Sequence, residues 1–326
     1  MEGKSITATA VTTQLTAADY VHLHNHTHHS LLDGLTKVNE LVDVVKNMGM
    51  EAVAVTDHGT MSGAVEFYKA GKEAGIKPII GMEAYVAARS RHDRDPAKDK
   101  ARYHLIILAM NEVGYQNLMR LSTAAHLEGM YYKPRIDHEL LETYNEGLII
   151  LSACASGELG EKLRLDDYEG AKQVASWYKS VFGDRYYLEL QDHGHPDCPA
   201  KWDVQVGINK GLEKLSQELD IPCVITSDGH YISHADQDAH EILLCVGTGA
   251  FLSDEKRMSL KDFELHVTDP MEIINRWSDT NLQAIANTRA IADRCNVELE
   301  LGRILIPTFP VPSGETEKTF LDTLVY

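Results

Sequence analysis

A chain of 326 residues, 44% hydrophobic and 25% charged, can bury one large core or two smaller ones, and no run in it approaches the roughly 18 consecutive apolar residues of a membrane span. Its formal charge of -18 repels polyanions and excludes a general DNA-binding surface built on counterion release, so any nucleic acid must be held locally. Five scattered cysteines (Cys154, Cys198, Cys223, Cys245 and Cys295) form no C-x-x-C pair, which excludes a disulfide framework and a zinc knuckle and fits a reducing, cytoplasmic setting.

In chain order, residues 1–19 form a polar, Thr-rich extension, expected to be partly disordered and unlike a signal peptide. From Tyr20 short β-rich apolar runs alternate with stretches of helical period. The expected strands are 20–25, 52–56, 78–86, 104–110, 147–153, 186–191 and 222–227. The expected helices are 37–47, 62–74, 113–127, 168–181 and 204–219, with 235–246 and 281–295 after the last strand. Seven strand–helix repeats predict an α/β fold closed or nearly closed into a barrel. An open doubly wound sheet is the alternative, but both G-x-G-x-x-G and G-x-x-x-x-G-K-[ST] are missing. The Pro- and Gly-containing stretch 306–314 reads as part of a linker over 297–326, leaving 20–296 as the folded domain of what is expected to be a longer parent.

The first strand, Y-V-H-L-H-N-H-T-H-H-S-L-L-D, puts His22, His24, His26 and His28 at every second position, and alternation would turn all four imidazoles to one side. In α/β barrels reactive groups gather at the carboxyl ends of strands. Those ends carry His24 and His26, then Asp57 and His58, Glu83, Cys154, His193, and finally Asp228 and His230. His104 begins its run instead of ending it, and reaches the same rim only on an antiparallel strand. Each residue singly has an ordinary reading as a turn, a cap or a buried small side chain, but their recurrence on one face points to metal ligation.

Imidazole, thiolate and carboxylate together suit zinc first, then manganese or iron, and so many donors predict two or three divalent ions. Clustered cations activate water and clamp phosphoryl oxygens, so the expected reaction is hydrolysis of a phosphate ester. No G-x-S-x-G elbow offers a covalent route. Tyr131, Tyr132, Lys133 and Arg135 offer two stacking rings and two cations to an unpaired strand, or else simply pack and solvate a loop. The segment 89–102, with six Lys or Arg against three Asp, is a second local source of positive charge. His193 beside Asp192 is a candidate general acid or an ordinary surface histidine.

The strings H-L-H-N-H-T-x-x-S-L-L-D-G (22–34), V-T-D-H-G-x-M-x-G (55–63), P-I-I-G-M-E-A-Y (78–85), Y-H-L-I-I-L-A (103–109), Y-Y-K-P-R-I-D (131–137), L-S-A-C-A-S-G-E (151–158) and T-S-D-G-H-Y (226–231) carry a specific resemblance. From about Tyr20 to about Pro312 the chain resembles the polymerase and histidinol phosphatase (PHP) domain of bacterial DNA polymerase III alpha subunits. The resemblance implies a distorted TIM-like barrel of seven βα units around a three-metal centre, acting as a 3′ to 5′ proofreading exonuclease on single-stranded or frayed DNA ends. It implies one ion on His24, His26, Glu83 and Asp228, a second on Glu83, His104 and Cys154, and a third on Asp33, His58 and His230, with Glu83, Asp228, His58 and His230 as the catalytic set. It implies as partners the rest of the polymerase and the replisome. A silent structural module and a histidinol-phosphatase type of phosphoesterase remain the alternatives. His28, His29 and Gly229 depart from the usual pattern: the first two add ligands, and the last is expected to loosen the backbone between Asp228 and His230.

Overall fold

The computed structural model describes residues 15–199 and 201–326, so most of the predicted N-terminal extension lies outside the described residues. Seven strands, β1 (Ala52–Val55), β2 (Lys77–Ala87), β3 (Arg102–Ala109), β4 (Arg135–Ile136), β5 (Leu148–Leu151), β6 (Tyr186–Gln191) and β7 (Cys223–Thr226), form one sheet ordered β1-β2-β3-β5-β6-β7, with β4 on β2. Around it lie α1 (Val38–Asn47), α2 (Ala64–Ala74), α3 (Glu112–Leu127), α4 (His138–Thr143), α5 (Glu158–Arg164), α6 (Tyr168–Phe182) and α7 (Asp203–Leu219). They are followed by α8 (Gln237–Thr248), α9 (Pro270–Arg294) and α10 (Glu317–Val325). No helix among the described residues is long and apolar enough to cross a membrane.

The helices form where the sequence supplies both a stripe and a stop. In α2 the buried residues Ala64, Phe67, Tyr68 and Gly71 follow the i, i+3, i+4, i+7 rule, and Gly75 ends the helix in the left-handed conformation. Asn111 and Asp167 cap α3 and α6 by accepting the Gly114 and Gly170 amides. The strands alternate. Ala52, Ala54, Ile106, Leu108, Ile149, Leu151 and Val224 pack with Val21 and Leu23 in one cluster, while Val53, Val55, Leu105, Ile107, Leu148, Ile150 and Ile225 pack with the helices in the other. Ile291, Ala292 and Cys295 at the end of α9 join the first cluster, as the plug of a filled barrel.

The stretch predicted as the first strand closes this sheet. It makes no continuous ladder, but Ala54 N–H donates to the His22 carbonyl (2.8 Å) and Thr56 N–H to the Asn25 carbonyl (2.9 Å), while His26 N–H donates to the Gly229 carbonyl beyond β7 (2.7 Å). Both sheet edges are thereby bridged, and the result is a distorted α/β barrel. β3 is antiparallel to β2 and β5, the arrangement that His104 requires. The two-residue β4 and the short α4 and α5 were not predicted, because elements of two to seven residues leave no periodicity to read. α9 begins at Pro270, earlier than the predicted 281–295, and the non-helical Asn281 divides it. α10 lies inside the stretch predicted as a linker, capped by Thr316.

Candidate metal centre

The parallel strands hand their side chains to one rim. Asp57 and His58 follow β1, Cys154 follows β5, and Asp228 and His230 follow β7. Glu83 lies within β2, bridged to His58, and His104 enters on the antiparallel β3, where it faces Tyr85. Asp228 and Ala153 both hold positive φ (53° and 61°), a conformation disfavoured for side-chain-bearing residues and tolerated where it aims a functional group.

His24 Nε2 lies 3.0 Å from Asp228 Oδ1, 3.1 Å from His26 Nε2 and 3.5 Å from Glu83 Oε1. His26 Nε2 lies 3.3 Å from the same Asp228 oxygen and 3.5 Å from Glu83 Oε2. Glu83 Oε1 is 2.9 Å from His104 Nδ1, and Cys154 Sγ is 3.6 Å from that nitrogen. Glu83 Oε2 meets His58 Nδ1, whose other nitrogen lies 3.2 Å from Asp33 Oδ2. The His230 ring lies tilted against that of His26, their centroids 4.3 Å apart. Three overlapping triads result: His24, His26 and Asp228; His58, Glu83 and His104; His26, His58 and His230. All nine predicted metal ligands thus come together in one buried or half-buried pocket.

The pocket fits divalent cations. Both Glu83 oxygens and Asp228 Oδ1 are buried beside imidazole nitrogens without forming hydrogen bonds, and buried Asp33 Oδ1 has no hydrogen-bond partner, a costly arrangement for carboxylates unless positive charge balances them. Burial opposes charging of His58, yet Glu83 and Asp33 pull it up to about 10. Burial together with His58 and His230 pushes His26 down to about 3, and burial raises the Cys154 thiol. Burial also works against ionising Asp33, but the neighbouring His58 holds its carboxyl well below the usual range.

Several residues around the donors hold them in place. Glu189 Oε1 lies 2.6 Å from His24 Nδ1 and also accepts from Thr226 Oγ1 at 2.5 Å. Sequence reasoning missed Glu189, although a carboxylate inside the apolar run Y-Y-L-E-L-Q is a readable signal. Asp57, predicted as a rim ligand type, instead accepts from Thr27 N–H (2.7 Å) and Ser30 Oγ (2.8 Å) and braces the loop that leads to Asp33. His22 bonds the Thr268 carbonyl (2.9 Å) and Ser227 Oγ (3.2 Å) away from the centre, so the predicted single row of four imidazoles does not form. Gly229 is required by close approach: a Cβ there would lie 2.8 Å from Asn25 Oδ1.

A cavity of about 300 Å³ opens on the centre, lined by His58, His104, His230 and by His193, Trp202 and Phe263. His193 is buried, which lowers its pKa and rules out the reading as a surface histidine, and Asp192 is engaged by Arg276 and by Trp277 Nε1 (2.6 Å). A second cavity of about 420 Å³ shares His58 and is lined also by Tyr85 and Lys133. Tyr132 is exposed and Tyr131 half-buried, their rings 4.6 Å apart. Arg135 overturns its predicted role as a phosphate contact. It is 1% exposed, and its guanidinium donates to the carbonyls of Gly129, Asp99, Arg91 and Asp93 at 2.9–3.1 Å. Much of the basic segment is likewise consumed internally, with Arg89 on Asp99 and Arg91 on Asp137, Glu128 and Glu139.

Residues 22–193 match the PHP domain family model. The DNA polymerase III subunit alpha of Treponema pallidum is 43% identical over 301 residues, 92% of this chain and 25% of that one. That of Borreliella burgdorferi is 41% identical over 295 residues, 90% of this chain and 25% of that one. The chain therefore spans about a quarter of the length of these curated relatives. An amidohydrolase structure from Chromobacterium violaceum aligns at 14% identity with a TM-score of 0.38, covering 65% of this chain and 87% of that one.

Proposed function

This chain belongs to the PHP domain family, and on that premise we propose that it is the PHP domain of a DNA polymerase III alpha subunit, acting in the cytoplasm as a metal-dependent 3′ to 5′ exonuclease. The observation that carries the reading is the complete donor set in one pocket, with both carboxylate oxygens of Glu83 buried and facing the imidazoles of His104 and His58. Two or three divalent ions, zinc foremost and manganese or iron as alternatives, would be held by His24, His26, Asp33, His58, Glu83, His104, Cys154, Asp228 and His230. When bound, such ions lower the pKa of water and clamp the oxygens of an in-line phosphoryl displacement.

The chain's own residues do the rest. Glu83 offers one oxygen toward His104 and the other toward His58, so a single carboxylate joins the two imidazoles of its triad. Glu189 holds the His24 ring so that Nε2 faces Asp228. Trp202 and Phe263 offer apolar surface to a terminal nucleoside, and Lys133 with Tyr131 and Tyr132 offers charge and stacking to the strand behind it. Burial lowers the pKa of His193, which favours a hydrogen-bonding role over that of a general acid. In a chain of charge -18, the cations and Lys133 are the local counter-charge for DNA. The remaining three quarters of the polymerase and the replisome are the partners that would deliver a frayed end.

The test is digestion of a 3′-mismatched primer by the zinc- or manganese-loaded chain, with Glu83→Ala as control. Stepwise shortening by the wild type alone supports the reading. Faster turnover of a small phosphate monoester than of oligonucleotides points instead to a histidinol-phosphatase type of enzyme. No hydrolysis of either, with a melting temperature that drops on chelation, leaves a structural module.

A further inference from the structure

We propose that His28, His29 and Glu66 form a separate, peripheral site for a zinc-class divalent cation. The histidine run continues past the two imidazoles that the central pocket uses, and its last two members meet the first turn of α2 instead. The His28 and His29 rings lie 4.3 Å apart, and His29 Nε2 lies 3.1 Å from Glu66 Oε2. One donor atom from each of the three residues lies within 4.8 Å of the other two. Tetrahedral coordination at ~2.0–2.2 Å from the ion places neighbouring donors roughly 3.3–3.6 Å apart, so a small closure of the three side chains completes the site.

The backbone that presents these side chains is already pinned. His28 N–H donates to the Thr36 carbonyl at 2.7 Å, and His29 N–H to Thr27 Oγ1 at 3.2 Å. The His29 ring lies against Gly63, where a Cβ would approach its Cδ2 to 2.6 Å, and Ser62 Oγ stands 3.4 Å from Nδ1, able to accept its proton when Nε2 ligates. Two imidazoles and one carboxylate select zinc, cobalt, nickel or copper over magnesium or calcium. Three protein donors, two of them exposed, leave a position for water and an ion that exchanges more readily than those of the buried pocket.

The location gives the site a consequence. It would join the loop carrying Asp33, four residues beyond His29, to the helix that begins six residues after His58. An ion there would fasten together the two segments whose side chains meet at 3.2 Å in the central pocket.

Zinc per chain, measured by elemental analysis after dialysis against buffers of increasing free Zn²⁺, tests this on the intact chain. The wild type is expected to take up one equivalent more than either His28→Asn or Glu66→Gln, and a chelator should remove that equivalent first. Circular dichroism of the variants should match the wild type, since both residues are exposed. Equal zinc content in all three chains at every concentration overturns the proposal. So does the loss of more than one equivalent in either variant, which would make these residues supports of the central pocket.

Discussion

His24 and Glu189 are locked together: Nδ1 of the imidazole stands 2.6 Å from Oε1 of the carboxylate, and neither side chain is exposed. The pairing favours a proton on Nδ1, so that in the metal-loaded chain Nε2 would be the ligating nitrogen beside Asp228. Glu189→Gln keeps the shape but weakens this hold and permits the amide to present its NH₂ instead. Affinity for the central ions is expected to fall about 10- to 100-fold, with secondary structure unchanged. Chelator competition on the zinc-loaded chain measures it, and unchanged affinity would show that His24 needs no such partner.

Arg135 and Lys133 sit two residues apart and are expected to behave oppositely. Removing the Arg135 fork takes a donor from the carbonyls of Asp99, Arg91 and Asp93, two of these bonds fully buried, while Gly129 keeps the Arg135 N–H, and each unsatisfied buried group costs about 1–3 kcal/mol. Arg135→Lys, which supplies a point charge in place of a planar fork, should therefore lower unfolding free energy by about 3 kcal/mol or more in urea titrations. Lys133→Ala should leave stability nearly unchanged. It should instead weaken single-stranded DNA binding and reduce the slope of log K against log salt by about 0.7.

Legibility in the sequence followed the length over which a pattern is written. The apolar strands other than β4 and the long helices announced themselves by composition and period, most donors could be named from their place near strand ends, and Asp33 came only from the family resemblance. His104 was legible only as an anomaly, and the antiparallel β3 resolves it. Alternation alone failed at His22, because the first stretch bridges two sheet edges without a regular ladder and its side chains do not share one face. Arg135 misled because its burial depends on carbonyls up to 44 residues away. Nothing local to Y-Y-K-P-R announces that cage.

Gly229 separates two proposed ligands and has no room for a side chain, since the facing Asn25 is itself held by Nδ2 on the Ala54 carbonyl at 2.9 Å. Gly229→Ala must push either Asn25 or the 228–230 backbone. Overpacking of this kind costs about 1–3 kcal/mol, and the displacement falls on Asp228 and His230. The variant should melt lower than the wild type and carry less metal per chain. A fully loaded Gly229→Ala chain of wild-type stability would show that Asn25 moves freely.

His22 offers a pH test that leaves the metal ligands in place. Burial lowers its pKa to about 4, against about 6.5 in an unfolded chain, although the Thr268 carbonyl partly offsets the shift. Above pH ~6.5 both forms are neutral and the group contributes no pH dependence. As pH falls from there toward 4, the unfolded chain binds a proton that the folded chain refuses, so stability drops, by on the order of 3 kcal/mol in all, and levels off once the folded form is protonated too. His22→Gln cannot titrate and keeps a donor for Thr268. The stability difference between wild type and variant, from urea titrations at a series of pH values, should therefore shift against the wild type by that amount between pH 6.5 and 4, while the histidines of the central pocket contribute equally to both. Parallel curves would mean that His22 takes up its proton in the folded chain, with Thr268 and Ser227 rearranged to receive it.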